Sequence, residues 1–268
     1  MSTTNTSQSA RTVAIVAIAL GGLIAVGSVA SAAASTIASA SAQTSTRTVG
    51  VAGVDELKVE MNAGSLRVEF GDVTDAELTV TGGSGADRWT LRQDGSQLRL
   101  GSPNGHFWSW GGWFGHGNGN AVLTLPQSLS GLDADLDLSA GATTAEGDFG
   151  DLTVTSGAGR VRVDGTARSF AADISAGSAD LRLADVHSAD LELSAGEMDA
   201  SFTGTQPQSL RLSASAGSMR VTVPAGDYDV RQQTSAGSFD NRLGSVPGAA
   251  ATVAVDVSAG SITLASTR

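Results

Sequence analysis

The chain has no cysteine, which removes disulfide staples, thiolate nucleophiles and cysteine-ligated zinc together. Aromatic residues are only 4% of 268 positions, so a globular core filled with large rings is excluded and small side chains must pack near the centre of the fold. Cations are scarce as well. The 16 Lys and Arg face 27 Asp and Glu, a formal charge of −11, and this balance excludes the broad basic surface that neutralises phosphates; nucleic acid is not an expected partner. The acidic surface favours solubility and leaves loose association with cations open.

What is present begins with an uncharged run, TVAIVAIALGGLIAVGSVASAAA, over residues 12–34, long enough to cross a hydrocarbon core as a helix. It reads in two ways. As an uncleaved anchor it leaves residues 1–11 as a cytoplasmic tail and holds the rest of the chain at the cell membrane, single-pass and extracytoplasmic. As a signal peptide it is removed at Ala38-Ser39-Ala40 or Ala40-Ser41-Ala42, both A-x-A-like, and the protein is secreted. Residues 35–48, rich in Ser, Ala and Thr, read as a flexible linker, and residues 49–268 as one domain.

That domain repeats itself. Ser-Ala-Gly or a close variant ends at Gly64, Gly141, Gly159, Gly177, Gly196, Gly217, Gly237 and Gly260, and the last seven glycines are spaced by 18, 18, 19, 21, 20 and 23 residues. Alternating strands flank each copy, such as Leu191-x-Leu193 before and Met198-x-Ala200-x-Phe202 after. The parity of the apolar set changes at each glycine, as from odd at Leu191 and Leu193 to even at Met198, Ala200 and Phe202. A flat strand cannot do this, because a one-residue slip sends every side chain to the other face, so each glycine marks a corner. The predicted fold is all-β: a single-stranded, β-helix-like solenoid of roughly 20-residue coils, with the alanine of each motif packed inside its corner. The strands around Leu57 and Ile262 are expected to end the stack, and Leu78-x-Val80, Leu98-x-Leu100 and Leu123-x-Leu125 to continue it between Gly64 and Gly141 around an insertion.

The recurrent L-x-L-S-A-G-x-h-x-h pattern (h, apolar), the LTLP segment from Leu123 to Pro126 and the GDFGDLTVTSGAG run from Gly147 to Gly159 resemble the bacterial DUF4097 family of candidate adhesins. The resemblance covers roughly residues 50–268. It implies a β-strand repeat domain displayed at the envelope, and it brings no catalytic motif to transfer.

The insertion over residues 101–120, GSPNGHFWSWGGWFGHGNGN, departs from the repeat and gathers Phe107, Trp108, Trp110, Trp113 and Phe114. Trp joins a large apolar area to one polar handle, so these residues are the candidate binding surface for a glycan, lipid headgroup or partner protein; the alternative is that they cover an open edge of the stack. His106 and His116 flank them without the further ligands a closed metal site needs, and His187 reads as a surface residue. Gly82 to Trp89 matches a calcium nonapeptide once, where that mechanism needs tandem copies. Asp133, Asp135 and Asp137 alternate with Leu136 and Leu138 and read as a solvated face rather than an acid/base pair. No catalytic residue, cofactor motif or metal site emerges.

The function expected is a non-enzymatic, membrane-anchored surface interaction module of adhesin type. Its candidate partners are the membrane, through the N-terminal helix, and a cell-wall glycan or envelope protein. The alternative is an envelope-stress or regulatory scaffold working through a membrane partner.

Overall fold

The computed structural model describes residues 44–82, 85–103 and 119–267, all within the compact unit Ala42–Arg268. The apolar run over residues 12–34 lies outside the described residues; among those described, no helix is long and apolar enough to cross a membrane.

The described residues are all-β apart from two short 3-10 turns, Ala86–Arg88 and Gln127–Leu129. In chain order the strands are β1 (Thr44–Val49), β2 (Glu56–Met61), β3 (Ser65–Gly71), β4 (Ala76–Thr81), β5 (Thr90–Asp94), β6 (Gln97–Gly101), β7 (Asn120–Pro126), β8 (Asp133–Ala184) and β9 (Ser188–Thr203). They continue with β10 (Ser209–Ala214), β11 (Ser218–Val223), β12 (Tyr228–Thr234), β13 (Ser238–Asn241), β14 (Ala251–Val257) and β15 (Ser261–Ser266). β8 and β9 are long because hydrogen-bonded pairing continues through their bends. Copies of the repeat lie parallel and in register, so that Leu181 faces Ala200, Ala176 faces Ala195 and Gly177 faces Gly196.

The alternation sorts the side chains. Leu191, Leu193, Met198 and Phe202 are at most 1% exposed, while Asp190, Glu192 and Glu197 on the other parity face water. The change of parity at the glycine is therefore a real change of direction, with both flanking strands aimed into one core. Each buried Leu, Val or Ile contributes about 1.5–3 kcal/mol by leaving water. The motif alanines do not join that core: Ala158, Ala176, Ala195, Ala216, Ala236 and Ala259 are exposed, contrary to the expectation that they pack inside the corner. The chain bends before the alanine, so the alternation ends at Leu193 in that repeat and resumes at Met198.

The glycines form one column. A Cβ built on Gly141 would lie 2.1 Å from the carbonyl oxygen of Gly64, and one on Gly159 would lie 1.9 Å from that of Gly141. The contact passes on from Gly159 to Gly177 and from Gly177 to Gly196. It then runs through Gly217 to Gly260 and ends at Gly237. The last repeat in sequence is thus next to last in space: β14 lies between β10 and β12, and β15 between β11 and β13.

This corrects both expected ends. The strand around Ile262 is internal, and the strand around Leu57 is flanked by β6 and β8. At one limit β12 and β13 are the outermost strands, and there the positions paired with buried Val255 and Val257 carry the exposed Gln232 and Thr234. Polar residues at an edge discourage further pairing. At the other limit the predicted continuation is present in β6 and β7, parallel to β2 and β3, but β4 and β5 run antiparallel to them. Residues 44–48, expected within the linker, instead form β1 and pair antiparallel with β4.

Candidate functional site

The register of β6 and β7 locates the aromatic insertion. β2 and β3 are joined by the three-residue corner Asn62-Ala63-Gly64, whereas β6 and β7, lying on them strand for strand, are joined by residues 102–119. The insertion therefore replaces the corner of one repeat. Phe107, Trp108, Trp110, Trp113 and Phe114 lie outside the described residues, as do His106 and His116. Trp89, by contrast, is fully buried and follows the turn Ala86–Arg88.

A second surface was missed in the sequence. On the outer face of β9, β10, β14 and β12, one row of residues reads Asp190, Arg211, Ala254, Arg231 across the strands. Ala254 ends at its Cβ, and the two arginines beside it wall a groove of about 560 Å³. The next row, Glu192, Ser213, Asp256 and Gln233, extends it. Arg231 donates to Asp229 at 2.8 Å and holds that carboxyl below its usual range, whereas Arg211 stands 3.9 Å from Asp190. Both guanidinium groups reach into water, with side chains 76% and 73% exposed, so donors on both stay accessible. The groove offers planar donors and acceptors suited to hydroxyl-rich ligands. No sequence signal marked it, because the row exists only once β14 is inserted between β10 and β12.

The other candidate residues have structural partners. Asp135 accepts from Lys58 Nζ at 2.6 Å. Asp133 accepts from the backbone N–H of Asp151 at 2.7 Å and lies 3.5 Å from Arg168. Asp151 accepts from Ser169 Oγ at 2.6 Å and from Arg168, and these bonds hold its carboxyl below the usual range. The carboxylates thus clamp successive repeats. His187 is exposed, with its backbone N–H bound to the Arg168 carbonyl. Among the described residues, no group of three or more His, Asp or Glu is placed to hold a metal ion.

An all-β repeat protein with a polar, grooved exterior is the class these features define. The chain belongs to the DUF4097 family, whose Toastrack model matches residues 14–264. Among solved structures it is similar to a candidate adhesin from Bacteroides fragilis, at 14% identity and a TM-score of 0.45, covering 84% of this chain and 97% of that one. It is also similar to a candidate lipid-binding protein from Parabacteroides distasonis, at 13% identity and a TM-score of 0.46, covering 82% and 96%. A candidate cell adhesion protein from Clostridium sporogenes is similar at 11% identity and a TM-score of 0.36, covering 84% and 100%. No curated protein matches the chain.

Proposed function

We propose that this protein is a non-enzymatic surface interaction module, a β-solenoid tethered to the bacterial membrane by residues 12–34 with its domain outside the cell. Residues 107–114 form its contact surface for a cell-wall glycan or envelope component. One observation carries the reading: where neighbouring strands need only Asn62-Ala63-Gly64 to turn, the chain spends residues 102–119 and sets three of its four tryptophans there. A corner insertion leaves the strand register intact on both sides, which is how a rigid scaffold carries a recognition loop. Family membership and the acidic, cysteine-free exterior agree with an envelope protein held by burial and hydrogen bonding. The groove beside Ala254 is a second polar contact surface on the same scaffold.

The test is cosedimentation of the full chain with purified cell wall, compared with a Trp108→Ala, Trp110→Ala, Trp113→Ala variant. Loss of binding in the variant supports the reading. Equal binding by both proteins, or by neither, removes the aromatic segment from the function.

A further inference from the structure

Arg92 and Arg99 are direct partners across the antiparallel pair β5–β6, and Lys58 is the direct partner of Arg99 across the parallel pair β6–β2. Direct partners share a face, so three cations stand in one row on the outside of three adjacent strands, about 4.8 Å apart from strand to strand. Like charges directly opposite one another destabilise a sheet. In a chain of net charge −11, acidic side chains were abundant to break the row, yet only part of it is answered. Lys58 is held by Asp135 at 2.6 Å. Among the described residues Arg99 has Asp94 only at 3.9 Å, and its Nε is shielded from solvent without a hydrogen-bond acceptor. Arg92 is exposed and forms no ion pair among the described residues. Two guanidinium groups with uncommitted donors, backed by an ammonium, present fork-like donors from two directions.

We propose that Arg92 and Arg99, with Lys58 beside them, form a binding site for a phosphate monoester. A tetrahedral dianion has the charge and the number of acceptor oxygens to engage both guanidinium forks, whereas a carboxylate is satisfied by one. The site is separate from the groove at Ala254 and needs nothing from the aromatic segment.

The experiment titrates the full chain, held in phosphatidylcholine nanodiscs, with glycerol 1-phosphate by calorimetry. Binding weakens about tenfold or more in Arg92→Gln, Arg99→Gln, as expected when two charge-assisted contacts are lost, while Arg211→Gln leaves it unchanged. Arg92→Gln alone, at an exposed position, gives a smaller loss and guards against misfolding of the double variant. Phosphatidic acid added to the nanodiscs separates two sources of the ester. Competition with glycerol 1-phosphate marks a lipid headgroup as the ligand, and undiminished binding marks a soluble or polymer-borne ester. The proposal is overturned if glycerol 1-phosphate does not bind, if the double variant binds it equally, or if galacturonate binds as tightly.

Discussion

Gly196 lies directly on Gly177: a Cβ on Gly196 would stand 2.0 Å from the Gly177 carbonyl oxygen, and the backbone at Gly196 has φ +116°. Two separate demands therefore fall on one residue, a left-handed conformation and a contact that no side-chain atom can occupy. Gly196→Ala must distort the backbone of two repeats, with an expected loss of at least about 2 kcal/mol by urea unfolding. Gly53 has φ +74° with nothing within 4 Å of its added Cβ, so Gly53→Ala should lose only about 1 kcal/mol. Equal losses at the two sites would mean that the close approach between repeats is unimportant.

Thr143 and Ser156 point opposite demands at the core. They are 2% and 0% exposed, and neither hydroxyl has a hydrogen-bond partner among the described residues. Thr143→Val keeps the shape and removes a desolvated hydroxyl, so stability should rise by about 1 kcal/mol, read as a higher urea midpoint with an unchanged slope. A lower midpoint would show that the hydroxyl is bonded.

Tyr228 is the only tyrosine, so its titration can be followed by phenolate absorbance without interference. Burial at the start of β12 pushes its pKa up to about 12, and its hydroxyl donates to the Pro224 carbonyl at 2.9 Å. The folded value lies above the ordinary 10.0, so this group's stabilisation is complete below pH 10 and is lost as pH rises toward 12. Wild type should lose more stability over that window than Tyr228→Phe, in which only Lys58, raised by its bond to Asp135, still contributes to the fall. A phenolate midpoint near 10 in the folded protein would contradict the burial of this ring.

The carboxylates predict the acid limb. Asp151 and Asp185 are held below the usual range, Asp151 by Ser169 and Arg168 and Asp185 by the backbone N–H and hydroxyl of Thr205. Their folded values are depressed, so their contribution is present above the unfolded carboxylate range and disappears as pH falls through the folded values. Ser169→Ala should flatten the acid-induced fall in melting temperature. An unchanged acid limb would show that the bond between Ser169 and Asp151 does not couple protonation to folding.

The repeat, the strands and the glycine corners were legible because period-two alternation and a fixed motif survive in the sequence. The order of the stack was not. Every repeat offers nearly the same parallel edge, so nothing in the Ser258-Ala259-Gly260 copy says that it sits between those of Gly217 and Gly237. The polar residues Gln232 and Thr234, where other repeats carry apolar ones, were the available sign that β12 is an edge. β1 was hidden by composition: Ser45, Arg47 and Val49 alternate, but weakly apolar residues read as linker. The corner alanines misled because alternation was carried one step past the bend. For the candidate sites, the aromatic segment announced itself by composition, whereas the Arg211–Ala254–Arg231 row and the Arg92–Arg99–Lys58 row come from strand partners that only the fold brings together.

On the function proposed above, residues 102–119 replace a corner in order to bind rather than to hold the stack together. Replacing them with Asn-Ala-Gly, the corner that joins β2 to β3, tests it most directly, with cell-wall binding and thermal unfolding measured on the same preparation. The expected result is a melting temperature close to that of wild type and loss of binding. A variant that binds as wild type does, or that unfolds because the segment was covering the end of the stack, would contradict it.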